Sequence, residues 1–393
     1  MISRFLTIAL AAVLPVLSAN SSAFAAEKTV DVTAADGTNL KATYFSAGKP
    51  GPGVLLLHQC NRQRKAWDDL GRQLAAAGIN VLTLDYRGYG ESGGARFDSL
   101  PQDQEARIQA EKWPGDIDAA LAYLESQPDV TRGVMGAGGA SCGVNNAVQL
   151  ARRHAEVKSL VLLSGPTNKD GRDFLRRPGS LPIFFAAADD DEFPPSVLDI
   201  EWYYSLTSNP GKRFVHYAAG GHGADMFRTH PELETEIVKW YVTTLITTPG
   251  RAQIAANKPA LPPEVDVLNI LEQPGGVARV KAMLEEARKK DPRANLFPED
   301  IVNIMGYERL QSGDTKGALE ILGLNASAFP DSPNVYDSLG DVYLADGQKD
   351  LARENAKKAL DMLRSDTTDN PQRKDAIKAS AEGKLKRLGE SPQ

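Results

Sequence analysis

Short apolar runs alternate with amphipathic stretches along residues 26–248 of the chain. The apolar runs predict strands at Lys28–Thr33, Leu40–Phe45, Gly53–Leu57, Asn80–Leu84, Gly133–Ala137, Leu160–Leu163, Pro182–Ala187 and Arg213–Tyr217. Apolar residues at helical spacing predict helices at Trp67–Ala77, Asp116–Glu125, Asn145–Arg153, Ser196–Ser205 and Glu232–Leu245. Because strands that alternate with helices form βαβ units, the pattern predicts an α/β fold with a mostly parallel sheet. Runs without polar alternation indicate that helices cover both faces of that sheet.

The pattern changes after residue 248. Residues 249–265 are rich in Pro and Ala and lack periodicity, which predicts a linker, and residues 266–393 show only helical spacing. Three small residues recur 34 positions later: Gly306, Gly313 and Ala318 as Gly340, Gly347 and Ala352. A 34-residue period with these small residues is typical of tetratricopeptide repeats. The sequence therefore predicts an all-α helical-repeat domain, with Pro274–Lys290 before the two units and a solvated capping helix at Asn370–Leu388 after them; an ordinary helical extension with a chance match is the alternative.

Composition and charge exclude several classes of function and of binding site. A chain of 393 residues suffices for two domains of roughly 150 residues or more. Its 45 Lys and Arg against 51 Asp and Glu give a net charge of -6, without the basic excess typical of a nucleic-acid surface. The two cysteines are too few for a disulfide scaffold or a four-cysteine zinc site. The sequence contains no phosphate-binding glycine loop, metal-spaced cluster or cofactor motif, so neither a cofactor nor a metal is expected.

The first 25 residues have the pattern of a targeting sequence. Arg4 precedes the apolar run Phe5–Leu17, and Ala23-Phe24-Ala25 forms a small-x-small site. This pattern predicts a signal peptide at residues 1–25 that is cleaved after Ala25. The run is shorter than the roughly 20 apolar residues of a spanning helix, although an uncleaved membrane anchor remains the alternative. The mature protein is expected to be periplasmic or secreted, where disulfides are permitted.

A candidate nucleophile lies in the segment Gly139–Gly143, which reads Gly-Ala-Ser-Cys-Gly. It follows the predicted strand Gly133–Ala137 and precedes the predicted helix Asn145–Arg153. A G-x-S-x-G sequence between a strand and a helix is typical of a nucleophile elbow, in which a tight turn exposes the serine hydroxyl. Ser141 is therefore the predicted nucleophile, and a glycine-rich structural turn is the alternative.

A serine nucleophile needs a base, and the base needs an acid that orients it. In a nucleophile-elbow enzyme the acid and then the histidine follow the serine along the chain. Downstream of Ser141, the predicted strand Pro182–Ala187 is followed by four consecutive carboxylates that begin at Asp189. Asp191 is the preferred acid because the chain turns directly after it, with Asp190 and Asp189 as fallbacks. Among the five histidines, His222 is the preferred base because glycines flank it in a loop after the last predicted strand.

The two cysteines fall where an oxyanion hole is expected. Such a hole uses the N–H after the nucleophile, here that of Cys142, and an N–H from the loop after the third strand. For the second donor Cys60 is slightly preferred over Gln59. Three states of the cysteines remain open: a Cys60–Cys142 disulfide, two buried thiols, or Cys142 itself as the nucleophile.

Together these motifs resemble the α/β-hydrolase family over Glu27–Leu245, and most closely its dienelactone-hydrolase-like serine esterases and peptidases. The resemblance implies hydrolysis of a small carboxylic ester through an acyl-enzyme, with Ser141, Asp191 and His222 as the catalytic triad. A serine peptidase, and a hydrolase-like scaffold whose repeats bind a partner protein, are the alternatives. The sequence departs from the family at Gln59, where glycine is usual, at Val144, where a small residue is usual, and at Ser141, where dienelactone hydrolases carry cysteine.

The expected substrate is a small ester or a short peptide. Segments Arg87–Trp113 and Pro166–Leu181 lie on the side of the sheet where loops form the pocket. Neither has the size of a large lid, so an open pocket is predicted. Three arginines in the second segment are interpreted as solvating a loop, with an anionic substrate as the alternative: Arg172, Arg176 and Arg177.

Overall fold

The computed structural model describes residues 26–179, 181–193, 196–250 and 257–389. The predicted signal peptide at residues 1–25 lies outside the described residues, as does part of the predicted linker.

The described chain begins with an eight-stranded sheet in the order β1-β2-β4-β3-β5-β6-β7-β8. Its strands are Ala26–Thr33 (β1), Asn39–Ser46 (β2), Gly51–Leu57 (β3), Asn80–Leu84 (β4), Val130–Ala140 (β5), Val157–Leu163 (β6), Ile183–Ala188 (β7) and Lys212–Tyr217 (β8). Only β2 runs against its neighbours, and every pair from β4 to β8 is parallel. The predicted α/β fold with a mostly parallel sheet is confirmed.

Helices cover both faces of the sheet. They are Asp68–Ala76 (α1), Gln102–Glu111 (α2), Trp113–Glu125 (α3), Cys142–Arg153 (α4), Lys169–Arg176 (α5), Ser196–Leu206 (α6), Met226–Thr229 (α7) and Glu232–Tyr241 (α8). Helices α1 and α8 bury Leu70 and Trp240 against one face. Helices α3, α4 and α6 bury Ile117, Val148 and Ile200 against the other. The central strand β3 is buried along its whole length, as its unbroken apolar run predicts.

Two helices lie in segments for which the sequence predicted only pocket loops. Helix α2 contains no apolar stripe, and Ile108 is its only apolar residue larger than alanine. Helix α5 has eight residues and begins where the Asn168 side chain accepts a hydrogen bond from Gly171 N–H. Because both helices are short and polar, their local patterns carry little helical signal, and contacts with distant parts of the chain define them.

The rest of the described chain is helical. Its helices are Pro263–Leu271 (α9), Gly276–Lys290 (α10), Glu299–Gln311 (α11), Thr315–Ala328 (α12), Pro333–Ala345 (α13), Lys349–Leu363 (α14) and Pro371–Arg387 (α15). Helices α11 and α12 start 34 residues before α13 and α14, respectively. A Cβ at Gly306 would lie 2.4 Å from Leu322, so the glycine permits the close approach of α11 and α12. Helix α9 begins at Pro263, inside the predicted linker of residues 249–265.

Helix α15 follows the two helix pairs, as predicted, but one of its faces is buried against α13 and α14 and is not solvated. Lys384 on this helix is fully buried, and its ammonium lies 2.8 Å from Asp337 and 2.9 Å from Asp341, both on α13. Ile377 and Leu385 of the same helix are also buried. The charged composition of α15 suggests a fully exposed helix, but one of its lysines is a buried ion-pair partner.

The two regions share one hydrophobic core and a buried ion-pair cluster. Trp202 and Tyr203 on α6 belong to the same apolar cluster as Leu268 on α9. Arg172 Nε lies 2.7 Å from Glu272, and its Nη2 lies 2.5 Å from Glu308 on α11. The Arg172 side chain is 3% exposed, so its interpretation as a solvated loop residue is wrong. The carboxylates that neutralise it lie 100 and 136 residues away in sequence.

Asp199 is a buried carboxyl group on α6 at this junction. Burial raises the pKa of Asp199 to about 7, and the nearby Arg172 only partly opposes the shift. Because the pKa of Asp199 in the folded protein exceeds the 3.8 of an unperturbed aspartate, the stabilisation is fully present below pH 3.8 and is lost as pH rises towards and through 7. We expect the free energy of unfolding of wild type, relative to Asp199→Asn, to fall by up to about 1.4 kcal/mol per pH unit between roughly pH 5 and 7.

Urea unfolding at several pH values between about 5 and 8 checks this expectation. Asp350→Asn serves as the control, because the Asp350 side chain is 98% exposed. A difference between wild type and Asp199→Asn that is the same at every pH would contradict the expected titration.

Candidate active site

The nucleophile elbow is a strained turn between β5 and α4. Ser141 has φ 54° and ψ -123°, a conformation that residues other than glycine rarely adopt. Its N–H faces the carbonyl oxygens of Leu163 at 3.0 Å and Ser164 at 2.9 Å, which fix the backbone. A Cβ at Gly139 would lie 1.9 Å from the carbonyl oxygen of Gly143, so no larger residue fits there. The turn holds Ser141 at the carboxyl end of the sheet with its side chain partly exposed.

An acid and a histidine lie together after the last two strands. Asp191 follows β7 and His222 follows β8. His222 Nδ1 lies 2.9 Å from Asp191 Oδ1 and 2.8 Å from Oδ2, and the two side chains are 4% and 2% exposed. A neutral imidazole that donates Nδ1–H to this carboxylate keeps Nε2 free to accept a proton.

The other two candidate acids serve different partners. Asp189 is exposed and its carboxylate lies 2.6 Å from His216 Nε2. Asp190 accepts hydrogen bonds from the N–H groups of Gly220 at 2.7 Å and Gly221 at 2.8 Å, and these bonds hold the pKa of Asp190 below its usual value. Asp190 therefore shapes the loop that carries the histidine, whereas Asp189 lies at the surface.

Ser141 and His222 line one cavity of about 420 Å³. Aromatic side chains form much of its wall: Tyr89, Phe97 and Phe193. The Phe193 ring packs 4.7 Å from the His222 ring and remains 49% exposed. The cavity therefore combines a serine, a carboxylate-bound histidine and an apolar wall at the edge where the parallel strands end.

The structure joins Cys60 and Cys142 by a disulfide, with their Cα atoms 5.9 Å apart. The sequence left open a disulfide, two buried thiols or a nucleophilic Cys142, and the structure has the disulfide. Cys142 begins helix α4 directly after the nucleophile, and Cys60 lies in the loop after β3. Within the described ranges, the backbone N–H of neither cysteine donates a hydrogen bond to another protein group. Neither N–H group is therefore occupied, as the predicted role of an oxyanion donor requires.

Gln59 ties this loop to the histidine loop. Its side chain is fully buried, and its Oε1 accepts a hydrogen bond of 2.8 Å from Ala224 N–H. Its Nε2 donates to Asn61 at 2.9 Å and, more weakly, to the carbonyl oxygen of His222 at 3.4 Å. Sequence reasoning noted Gln59 only as a departure from glycine and as a fallback oxyanion donor. Its contact with a loop more than 160 residues away gave no sequence signal.

Removing the Gln59 side chain should disturb catalysis more than binding. We expect Gln59→Ala to lower kcat for a chromogenic ester by about 10-fold to 100-fold, because it frees both loops and leaves Ala224 N–H without its acceptor. Gln63→Ala on the same loop is the control, since Gln63 is exposed. A folded Gln59→Ala variant whose kcat matches that of the control would show that the bridge has no positioning role.

His58 is a structural residue. Its ring is fully buried, Nδ1 donates to the Gln59 carbonyl at 2.7 Å, and Nε2 accepts from Tyr86 N–H at 3.2 Å. Burial lowers the pKa of His58 to about 4, so the ring is neutral near pH 7. A neutral ring with both nitrogens engaged holds the start of the loop after β3 against Tyr86, which follows β4.

The part of the chain that the structure describes contains neither a cluster of metal ligands nor a membrane-spanning helix. No group of three or more His, Cys, Asp or Glu residues there is arranged to hold a metal ion. No helix in the described ranges combines the length and the apolar character needed to cross a membrane.

Comparison with known proteins gives matches to the sheet-bearing part of the chain. Residues 48–187 match the family model described as serine aminopeptidase, S33. An uncharacterized protein of Mycobacterium tuberculosis strain H37Rv is 34% identical over 230 residues, which cover 53% of this chain and 76% of that protein. An esterase of Pyrococcus furiosus aligns with a TM-score of 0.44 at 21% identity over 55% of this chain and 92% of its own. A dienelactone hydrolase-like promiscuous phosphotriesterase from metagenomic libraries aligns with a TM-score of 0.41 at 17% identity, over 55% and 99% of the two chains.

Proposed function

Since the chain belongs to the α/β-hydrolase family, we propose that it is a serine hydrolase that cleaves a small carboxylic ester through an acyl-enzyme. One observation carries the proposal. Ser141 stands on a strained elbow with φ 54° and lines the same cavity as His222, whose Nδ1 is hydrogen-bonded to Asp191. A turn with a purely structural role would not require a strained serine that shares a cavity with a carboxylate-bound histidine.

The reaction would proceed in two halves. Ser141 Oγ attacks the ester carbonyl carbon while His222 Nε2 takes its proton, and Asp191 stabilises the resulting imidazolium. The carbonyl oxygen becomes an oxyanion that accepts hydrogen bonds from the N–H groups of Cys60 and Cys142. The proton then passes to the alcohol oxygen as the C–O bond breaks, which leaves an acyl-enzyme. Water attacks that acyl group, His222 takes the water proton and returns it to Ser141, and the carboxylic acid leaves.

In this mechanism the disulfide connects the residues that supply both oxyanion donors. We expect reduction of Cys60–Cys142 to lower kcat by about 10-fold to 100-fold, since losing one oxyanion donor costs about 10²–10³ in other serine hydrolases. The measurement is the initial rate before and after treatment with a phosphine reductant, with free thiols counted in parallel. A Cys60→Ser/Cys142→Ser variant is the matched control and should not respond to the reductant. An unchanged kcat in fully reduced wild type would contradict the proposed role.

Serine peptidase activity is the second candidate. The match of residues 48–187 to a serine aminopeptidase model favours it. Ester and amide hydrolysis use the same nucleophile, base and oxyanion donors, so the difference lies in the leaving group. Amino-acid 4-nitroanilides, measured beside 4-nitrophenyl esters, would separate the two activities.

The remaining parts of the proposal concern location and the C-terminal region. The sequence pattern of residues 1–25 supports export to the periplasm or the cell exterior. The two helix pairs α11–α12 and α13–α14, with their 34-residue offset, support a tetratricopeptide-like repeat. A protein partner on these repeats is the alternative role, and it would become the leading one if the protein hydrolysed no ester or amide.

The test combines turnover with covalent labelling. Wild type should hydrolyse 4-nitrophenyl acetate and should react with a fluorophosphonate, which labels activated serines, at Ser141 and at no other residue by peptide mass analysis. Turnover without a label on Ser141 would contradict the serine mechanism. Absence of both turnover and labelling would contradict the proposed hydrolase.

A further inference from the structure

A second cavity of about 380 Å³ lies between helix α2 and the C-terminal helix α11. Its volume falls within the range of about 300–1,000 Å³ that small-molecule pockets occupy. Its walls include Ala106, Gln109 and Ala110 on α2, Asn145 on α4, and Ile304 and Glu308 on α11. The C-terminal region therefore contributes directly to a cavity beside the catalytic sheet.

This cavity adjoins the candidate active site. Gln109 lines both this cavity and the one that contains Ser141 and His222. Cys142, the residue after the nucleophile, lines the second cavity, while its disulfide partner Cys60 lines the first. A substrate whose scissile carbonyl lies at Ser141 thus has the second cavity as its neighbouring space.

The wall that α11 supplies is fixed in position. Glu308 accepts hydrogen bonds from Lys169 N–H at 3.0 Å and from Arg172 Nη2 at 2.5 Å, and both donors belong to α5. These contacts also neutralise the carboxylate, so it offers no free charge to a ligand. Ile304 lies one helical turn earlier on the same helix and is 47% exposed. Across the cavity, Ala106 and Ala110 on α2 are exposed as well.

The remaining wall carries no charged side chain, and its polar members are Asn145, Asn146, Thr167 and Asn168. Asn145 Oδ1 accepts hydrogen bonds from Thr167 Oγ1 at 3.0 Å and Asn168 N–H at 3.2 Å, which orients its Nδ2 donors. In the described part of the chain the buried Nδ2 of Asn146 and the buried Nε1 of Trp113, which both line the cavity, have no protein acceptor. A ligand that supplies an oxygen acceptor and an apolar surface matches this wall, whereas a charged group finds no unpaired partner.

We infer that this cavity is a substrate subsite completed by the C-terminal region, and that it takes an uncharged group with an apolar side chain and an amide or ester carbonyl. The inference rests on the proposed hydrolase function and names the class of substrate for that site. The geometry makes Ile304 a specificity-determining residue for the apolar part of that group. The helical region then acts in substrate selection as well as in stability.

The test uses three esters and three variants. 4-Nitrophenyl acetate needs only the catalytic cavity, the 4-nitrophenyl ester of N-acetyl-leucine extends the acyl side, and 4-methylumbelliferyl acetate extends the leaving-group side. Ile304→Trp fills the cavity and Ile304→Ala removes its apolar wall. Met283→Trp is the matched control, because Met283 is an exposed apolar residue of the same region, 40% exposed, outside this cavity. Circular dichroism and Tm show that each variant is folded.

We expect Ile304→Trp to lower kcat/KM for one extended ester by at least about tenfold and Ile304→Ala by about three- to tenfold, with less than about a twofold change for 4-nitrophenyl acetate. The extended ester that responds identifies which side of the scissile bond occupies the cavity. Equal changes on all three esters, or no change in folded Ile304→Trp, would overturn the subsite. Failure of wild type to hydrolyse any of the esters would instead contradict the proposed function itself.

Discussion

Replacing Ser141 with alanine is expected to lower kcat/KM for 4-nitrophenyl acetate by about 10³-fold to 10⁶-fold. The substitution removes the only proposed nucleophile while the oxyanion donors and the cavity remain, so the residual rate reflects binding and electrostatic stabilisation alone. Alanine should accept the elbow at a cost similar to that of serine, because both carry a Cβ at φ 54°. Initial rates with each ester, together with Tm, check the prediction.

Cys142→Ala separates this prediction from its nearest competitor. This variant breaks the disulfide and so should lose part of its activity, but it keeps the proposed nucleophile and its base. We therefore expect much more residual activity in Cys142→Ala than in Ser141→Ala. The reverse order would move the nucleophile by one residue. A Ser141→Ala variant within tenfold of wild type would remove serine catalysis from consideration.

Asp191→Asn should have the second-largest effect, a loss of about 10⁴-fold in kcat with little change in fold. The amide occupies the space of the carboxylate but can present an N–H to His222 Nδ1, which favours the tautomer that cannot accept a proton at Nε2. It also removes the negative charge that stabilises the imidazolium. Steady-state kinetics of the purified variant provide the measurement.

The neighbouring acids supply matched controls for Asp191→Asn. Asp189→Asn makes the same chemical change two residues earlier, but Asp189 is exposed and faces His216, so we expect kcat within about twofold of wild type. Comparable losses in Asp189→Asn and Asp191→Asn would indicate a general effect of the acidic loop. Wild-type activity in Asp191→Asn would exclude it as the orienting acid.

Features that depend on local patterns were predicted from the sequence most successfully. Unbroken apolar runs such as Gly53–Leu57 identify the buried strands. A strand that is covered on both faces needs apolar side chains at every position, so its sequence lacks polar alternation. The spacing of glycines around Ser141 identifies the elbow for a local reason, since Gly139 and Gly143 approach within contact distance of each other. The choice of Asp191 and His222 as the acid and the base remains a prediction, although their side chains lie together in the structure.

Features that depend on distant partners were missed. Arg172 looks like a solvated cation until Glu272 and Glu308 are placed around it. Gln59 looks like a departure from a family pattern until the backbone of Ala224 lies against its side chain. Helix α2 contains few apolar residues, and its local pattern therefore did not predict that it would line the active-site cavity. In each case the information lies in a contact across at least a hundred residues or in a cavity wall that local periodicity does not encode.

The shared core has a consequence for how the chain is made. One apolar cluster runs from Val30 on the first strand to Val342 on α13, and it includes Trp202 and Leu268 at the junction of the two regions. During synthesis the sheet and its helix α6 emerge before α9, so until α9 has emerged the nascent chain exposes the apolar surface of α6 that packs against it. A polypeptide that stops near residue 250 would keep that surface permanently, and we expect it to aggregate or to recruit chaperones. On this expectation, the C-terminal helices act as an intramolecular folding partner of the sheet-bearing region.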